Sequence, residues 1–289
     1  MPITNELNLP QPFVDAVTND YTYKPKRYSV TALLKGTREA ILQRRHQDEV
    51  QNDVADMVWM IFGTAVHSVL ENAQETASQL KENRVEVEMP NGYTLSGIFD
   101  LYDDATGTVT DYKTASVWKV VYDEWDDYRK QLLIYCWMLR KIGFDARKGE
   151  IVAMLKDHSK SKAKFDRSYP KHPVFTKKFS FSEKEFEEIG AWLEAKFAEI
   201  EECEKLADDE LPVCTTSERW AKPDKWAVKK KGNKKATKLF EEEGAAYEHA
   251  DFLAERDGKP YEVEYRPGED TKCAEYCSVC EFCSYWKEK

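Results

Sequence analysis

The sequence predicts an α/β fold in which a mixed β-sheet is flanked by helices. Three observations carry that expectation. A strand-like run leads into a hairpin whose flanks, Tyr93-Thr-Leu-Ser-Gly-Ile-Phe-Asp100-Leu-Tyr and Thr108-Val-Thr-Asp111-Tyr-Lys113, alternate and are rich in β-branched and aromatic residues, around the turn residues Asp103-Asp-Ala-Thr-Gly107. Residues 62–71 and 128–140 place apolar side chains at helical spacing. Residues 150–155 and 174–181 read as two further strands, followed by a long helix. Strands and helices in this order build a sheet with helices packed on it.

Taken in order, residues 1–28 form a loop-like N-terminal extension containing Pro2, Pro10, Pro12 and Pro25. Ser29 is placed to cap a helix over 30–47. Residues 84–89 alternate as a strand leading into the hairpin, and Ser182 caps an acidic helix running to about 206. Between the last two strands lies a loop, 156–171, with Lys160, Lys162, Lys164 and Arg167 around Phe165 and Tyr169. Its basic side chains suit phosphate contact, and a solvated surface loop is the plainer alternative. From 219 to 238 the chain is strongly basic, with Asp224 its one acid; Trp220 and Trp226 stand among Lys229, Lys230, Lys231, Lys234 and Lys235. Aromatics interleaved with lysines suit single-stranded nucleic acid, where bases stack and backbone charge is neutralised, although at least one of these tryptophans is expected to anchor the segment. The acidic helix that follows, 241–256, is expected to face solvent. The resulting organisation is an extension (1–28), a core (29–210), a basic Trp/Lys-rich module (211–260) and a Cys-rich tail packing on the core (261–289).

The chain has 289 residues, 42% of them hydrophobic, and no apolar run approaches a membrane span. Lacking a signal-peptide pattern, it is expected in the cytoplasm, or in a host's cytoplasm if phage-encoded, and its seven cysteines are not read as a disulfide framework. A net charge of −10 argues against a nucleic-acid partner until the two basic segments are set apart from the sum.

The hairpin carries the most specific chemistry. With the turn centred on Ala105 and Thr106, paired residue numbers sum to 211, so Asp100 lies opposite Asp111 with Cβ atoms about 5 Å apart. Lys113 points to the same face. Two carboxylates so close repel unless a hard divalent cation sits between them, which points to Mg²⁺ or Mn²⁺. A solvated acidic hairpin is the alternative. His67 lies one helical turn from Glu71, and Gln131 one turn from Tyr135. Alone, each pair reads as an ordinary helix face.

In sequence, Gly63-x3-His67, Gly97-x2-Asp100, Asp111-x-Lys113 and Gln131-x3-Tyr135 resemble the successive motifs of the PD-(D/E)XK nucleases, and best the RecB-like branch that includes CRISPR-associated and related phage exonucleases. The resemblance implies a restriction-endonuclease-like core and a DNA exonuclease acting on single strands or DNA ends, in recombination or replication. It also implies that His67, Asp100, Asp111 and the carbonyl of Tyr112 hold the metal, that Lys113 serves the reacting phosphate, and that Gln131 and Tyr135 orient strand or ligands. A catalytically silent DNA-binding or recombination-partner protein on the same fold, and an interaction protein with incidental carboxylates, are the alternatives; the intact Asp-Asp-Lys set favours turnover.

Cys273-Ala-Glu-Tyr-Cys277-Ser-Val-Cys280-Glu-Phe-Cys283 reads as a soft-metal site, iron–sulfur or zinc. The resembled family closes such a site with three tail cysteines and one distant one, and tilts the expectation to a 4Fe-4S cluster. Cys273, Cys277 and Cys283 match the trio, with Cys280 or Cys214 as the fourth ligand. Ser29-Val-Thr31-Ala-Leu33 fits the family's N-terminal pattern, but residues 34–38 lack its cysteine. Cys136 and Cys203 are expected to be inert.

Overall fold

Residues 2–18 and 22–289 are described by a computed structural model; residues 1 and 19–21 of the expected extension lie outside the described residues. The chain divides into two units, Met1–Leu211 and Pro212–Lys289.

The extension is not all loop. It contains β1 (Ile3–Thr4) and α1 (Gln11–Val17), whose Pro12 sits in the first turn, where its missing N–H has no helical partner to lose. Next come β2 (Arg27–Ser29) and α2 (Val30–Leu33), capped as expected by Ser29 Oγ accepting the Ala32 N–H at 3.1 Å. The single helix expected over 30–47 is two. Gly36, a weak helix former, is extended (φ −60°, ψ 143°) and caps α3 (Thr37–Arg45). Then follow β3 (Asn52–Asp53), which pairs in parallel with β1, α4 (Val58–Glu71) and β4 (Gln79–Glu88).

The hairpin is β5 (Thr94–Asp103) and β6 (Thr108–Ala115). Asp103 Oδ1 accepts the Ala105 N–H at 3.0 Å, and Gly107 adopts φ +63°, so the turn is fixed by its own chemistry. Beyond it come α5 (Val117–Val121), α6 (Asp126–Lys141) and β7 (Lys148–Leu155). The basic loop is also not all loop: Ser159 caps α7 (Lys160–Phe165) within it. β8 (Val174–Ser180) and α8 (Glu183–Cys203), the latter with a complete Ser182–Glu185 capping box, end the first unit's series.

One six-stranded sheet, ordered β2-β5-β6-β7-β8 with β4 also on β5, organises this unit. β4 runs antiparallel along the full length of β5. The opposite edge of β5 is shared: β2 pairs with Thr94–Ser96 and β6 with Leu101–Asp103. Between them residues 97–100 are left without a strand partner on that side. β6 and β7 are parallel, which makes the sheet mixed. The core is formed by Leu95, Phe99, Tyr102, Val109 and Ile151 of the sheet with Leu132, Ile134, Met138 and Phe197 of α6 and α8, all essentially buried. Each such side chain contributes about 1.5–3 kcal/mol.

The second unit holds both the basic segment and the Cys-rich tail, read from sequence as separate modules. Its strands are β9 (Ala221–Lys222), β10 (Lys225–Lys230) and β11 (Lys238–Phe240), and its long helix is α9 (Glu243–Asp257). β12 (Tyr261–Arg266), β13 (Glu269–Asp270), α10 (Thr271–Glu275) and α11 (Ser284–Lys287) complete it. The sheet β11-β10-β12 joins the two segments, because β10 pairs with β12 from Lys225↔Arg266 to Lys230↔Tyr261. The basic segment and the helix after it therefore run strand–strand–helix. α9 does not simply face solvent; Ala246, Ala250 and Leu253, four and three residues apart, bury one stripe with Val228.

Candidate active site

The hairpin ladder runs Asp103↔Thr108, Tyr102↔Val109, Leu101↔Thr110, so its register sums to 211 and the next step sets Asp100 across from Asp111. The ladder stops there. Asp100 Oδ2 instead accepts the Tyr112 N–H at 2.6 Å, so the unpaired stretch of β5 turns the carboxylate into a partner for β6. Tyr112 thus meets Asp100 through its N–H. Lys113 donates to Asp111 Oδ1 at 2.8 Å, and its ammonium is 2.7 Å from Oδ2 but off the hydrogen-bond line. No donor among the described residues is aligned on Oδ2, although Asp111 is only 3% exposed.

α4 and β4 complete the cluster. His67 Nδ1 lies 3.5 Å from Asp100 Oδ1 and 3.4 Å from Glu82 Oε1. Lys81 Nζ donates to the Glu71 carbonyl at 2.6 Å, fastening the end of α4 to β4 beside Glu82. Glu82 is absent from the sequence expectation. The register of β4 on β5 sums to 182, which sets Glu82 level with Asp100, yet Glu82 makes no ladder pair and holds φ +49°. A non-glycine residue held there costs about 1–2 kcal/mol. Its signal in the sequence was faint, because the strand was legible only from Arg84.

α6 brings Gln131 and Tyr135 to the same region, both buried, with a hydrogen bond between their side chains. Tyr135 also feels the charges of Asp111 and Asp100. Its ring explains Gly97: a Cβ there would stand 2.5 Å from Tyr135 Cε1.

Burial pushes the Asp100 carboxyl up to about 7, with Asp111 adding to the rise and the Tyr112 N–H, His67 and Lys113 opposing it. Burial also pushes Asp111 up, against the pull of Lys113. Two buried carboxylates that resist ionisation, one with an oxygen lacking an aligned donor, suit a divalent cation. Ligand atoms of His67, Glu82 and Asp100 lie within 4.8 Å of one another, and no other such group of three occurs among the described residues.

The other expected residues fall elsewhere. Lys160, Lys162 and Lys164 lie on α7, which carries the exposed Phe165. In the second unit Trp226 packs on the small core and against Tyr265, whereas Trp220 is half exposed beside Tyr276, their ring centroids 5.2 Å apart. Lys229 is ion-paired with Glu264 and with Glu262. Lys230, Lys231, Lys234 and Lys235 have no carboxylate within ion-pair distance among the described residues.

Cys214, Cys273, Cys277, Cys280 and Cys283 are all half-buried thiols of the second unit. Arg219 donates to the Cys214 carbonyl at 2.9 Å and to Asp270, directly before α10, at 2.8 Å. This draws the Cys214 segment to the tail. Burial raises the Cys273 thiol, and Cys283 is close enough to add to the rise. Cys136 is fully buried, its Sγ donating to the Lys148 carbonyl at 3.3 Å, and Cys203 is buried on α8.

A family model of the PD-(D/E)XK nuclease superfamily matches residues 39–286. No curated protein matches the sequence. Among solved structures, the chain is similar to SSO0001 at 17% identity and TM-score 0.46, over 65% of this chain and 82% of that one. It is similar to LHK-Exo in complex with dAMP at 12% identity and TM-score 0.33, over 60% and 91%. A phage-related exonuclease from Haemophilus somnus 129PT is similar at 9% identity and TM-score 0.29, over 58% and 74%.

Proposed function

Because the chain belongs to the PD-(D/E)XK nuclease superfamily, we propose that it is a Mg²⁺- or Mn²⁺-dependent deoxyribonuclease, an exonuclease on single-stranded DNA or DNA ends in recombination or replication. The observation that carries this reading is the buried pair Asp100 and Asp111, with Lys113 bonded to the second and His67 beside the first. A fold kept only to hold DNA has no use for two buried carboxylates, both pushed up by burial and the first pushed further by the second. Such strain is characteristic of sites where function outweighs stability.

His67, Glu82, Asp100, Asp111 and the Tyr112 carbonyl would hold the metal. When bound, it supplies Lewis acidity to the scissile phosphate and a more acidic water. Lys113 stabilises the charge that develops on the phosphoryl oxygens. The Tyr112 N–H fixes the Asp100 carboxylate, and the Gln131–Tyr135 pair orients the strand along Gly97. Lys160, Lys162 and Lys164, with Trp220, Lys230, Lys231, Lys234 and Lys235, serve as phosphate and base contacts.

The tail cysteines would carry a 4Fe-4S cluster, with Cys280 or Cys214 beside Cys273, Cys277 and Cys283. Four thiolates at about 2.3 Å from one zinc stand about 3.8 Å apart. No three cysteine sulfurs lie within 4.8 Å of one another among the described residues. A cluster, in which each thiolate binds a different iron, spaces its ligands more widely.

End-labelled single- and double-stranded DNA, incubated with and without Mn²⁺, tests the reading. Metal-dependent shortening is expected, lost by a factor of about 10² or more in Asp111→Ala and in Lys113→Ala. Wild-type cleavage by either variant under excess metal overturns the assignment.

A further inference from the structure

The first turn of α6 adds a third side chain to the helix face that carries Gln131 and Tyr135. Tyr128 precedes Gln131 by three residues and Tyr135 by seven, the spacing of one helical stripe. At one end of that stripe Tyr135 abuts Gly97, and at the other Tyr128 meets Lys113. The Lys113 ammonium stands 5.3 Å from the centre of the Tyr128 ring, and that of Lys119, from α5, 4.3 Å from the same centre. Lys119 is paired with Asp127 at 3.1 Å, so its charge is answered next to the ring. Tyr128 is braced by the buried Trp125, their ring centroids 6.3 Å apart, and Trp125 stacks in turn on Phe175 of β8 at 5.5 Å. The ring is thus held by the core while two cations gather on it.

Lys113 needs such a support. Its stem is long and rich in rotamers. Its hydrogen-bond acceptor is Asp111 Oδ1, on a carboxylate that the metal would also claim. A second carboxylate in place of the ring would cancel the charge that Lys113 offers a phosphate and would compete for the ion. The face of an aromatic ring attracts an ammonium through its quadrupole, without neutralising it and without using its N–H donors. Burial, with the charges of Asp127 and Asp111, pushes the Tyr128 phenol up to about 12, so the ring stays neutral at physiological pH and lies in reach of the carboxylate that Lys113 bonds. We infer that Tyr128 is a positioning residue for Lys113, its ring holding the ammonium at the site independently of Asp111. The inference rests on the nuclease reading and deepens it, by naming the side chain that aims the lysine.

The test compares, in the full chain, Tyr128→Phe, Tyr128→Leu and a variant with Tyr128 replaced by pentafluorophenylalanine, whose ring keeps its shape but reverses the charge of its face. On an end-labelled single strand with Mn²⁺, Tyr128→Phe should keep kcat within about twofold, whereas Tyr128→Leu and the fluorinated variant should lose roughly tenfold. KM, and single-strand affinity measured in EDTA, should stay within about twofold in all three. The contact itself is read without metal or turnover. In protein carrying isotope-labelled lysine, the NMR signal of the Lys113 ε-methylene, assigned by its loss in Lys113→Arg, should stand upfield under the ring current and relax in Tyr128→Leu. If Tyr128→Leu does not fold, the fluorinated variant decides in its place. Wild-type kcat in the fluorinated variant overturns the inference. So does an equal loss in Tyr128→Phe, which assigns the effect to the hydroxyl, and so does a loss expressed in KM and in EDTA affinity, the mark of a direct strand contact. A Lys113 signal unmoved by Tyr128→Leu also overturns it, whereas a wild type that shortens no strand fails the nuclease reading itself.

Discussion

Asp100→Asn should make the metal-free protein more stable at alkaline pH while destroying the candidate active site. The folded-state carboxyl is pushed up to about 7, against an unfolded value of 3.8. Between those values the folded chain binds more protons than the unfolded chain, so this group's contribution to stability falls as pH rises. At about 1.36 kcal/mol per unit, the fall from pH 5.5 to 8 is about 2 kcal/mol, and the full penalty above pH 7 is about 4 kcal/mol. Asparagine cannot ionise, and its carbonyl can still accept the Tyr112 N–H that Asp100 Oδ2 accepts at 2.6 Å. Urea denaturation in EDTA at both pH values is the assay. The wild type should lose about 2 kcal/mol more than Asp100→Asn on going to pH 8. Added Mg²⁺ should restore that loss in the wild type alone, because only a paired carboxylate set gains from the cation. If Asp100→Asn is no more stable than wild type at pH 8 and the two share one pH dependence, the buried-pair argument fails.

Replacing Lys230, Lys231, Lys234 and Lys235 with Ser should lower the log–log salt slope of single-strand binding by up to about 2.8, at about 0.7 per lost phosphate contact. Lys229→Ser should change it little, because that ammonium is engaged by Glu264 and Glu262; an unchanged slope in the fourfold variant would assign those lysines to solubility. Protein purified without oxygen should contain iron with visible absorption, lost in Cys273→Ser and Cys277→Ser but not in Cys136→Ser, while comparison of Cys280→Ser with Cys214→Ser identifies the fourth ligand. Elemental analysis finding neither iron nor zinc, with the tail thiols titrating as free, would end that proposal. Burial alone would lower the His46 pKa, but its hydrogen bonds with Asp208 and Glu49 outweigh it and raise the value above 6.5. Its stabilising contribution is therefore full below 6.5 and fades as pH rises through the raised value. Thermal melts of His46→Asn between pH 6 and 9 should lack that decline, and parallel curves for variant and wild type would refute it.

The features legible in the sequence are those set by short-range chemistry. The hairpin register followed from Asp103–Gly107, because the Asp103 side chain and the left-handed Gly107 close the turn locally and a period of two then carries Asp100 and Asp111 to one place. The Ser29 and Ser182 caps and the helices bearing His67 and Gln131 were likewise local signals. Other features depended on partners distant in sequence. Glu82 joins His67 and Asp100 only because β4 runs along all of β5, and its left-handed backbone breaks the alternation that would have announced it. Lys229 looked like its lysine neighbours until β12 brought Glu262 and Glu264 beside it. The apolar stripe of α9 was hidden by the acidic residues around it and became a buried face once β10 lay beneath. The meeting of Tyr128 with Lys113 is not encoded by any one segment. It exists because α6 packs against β6, and a ring that faces a lysine of another element is a property of the assembled fold.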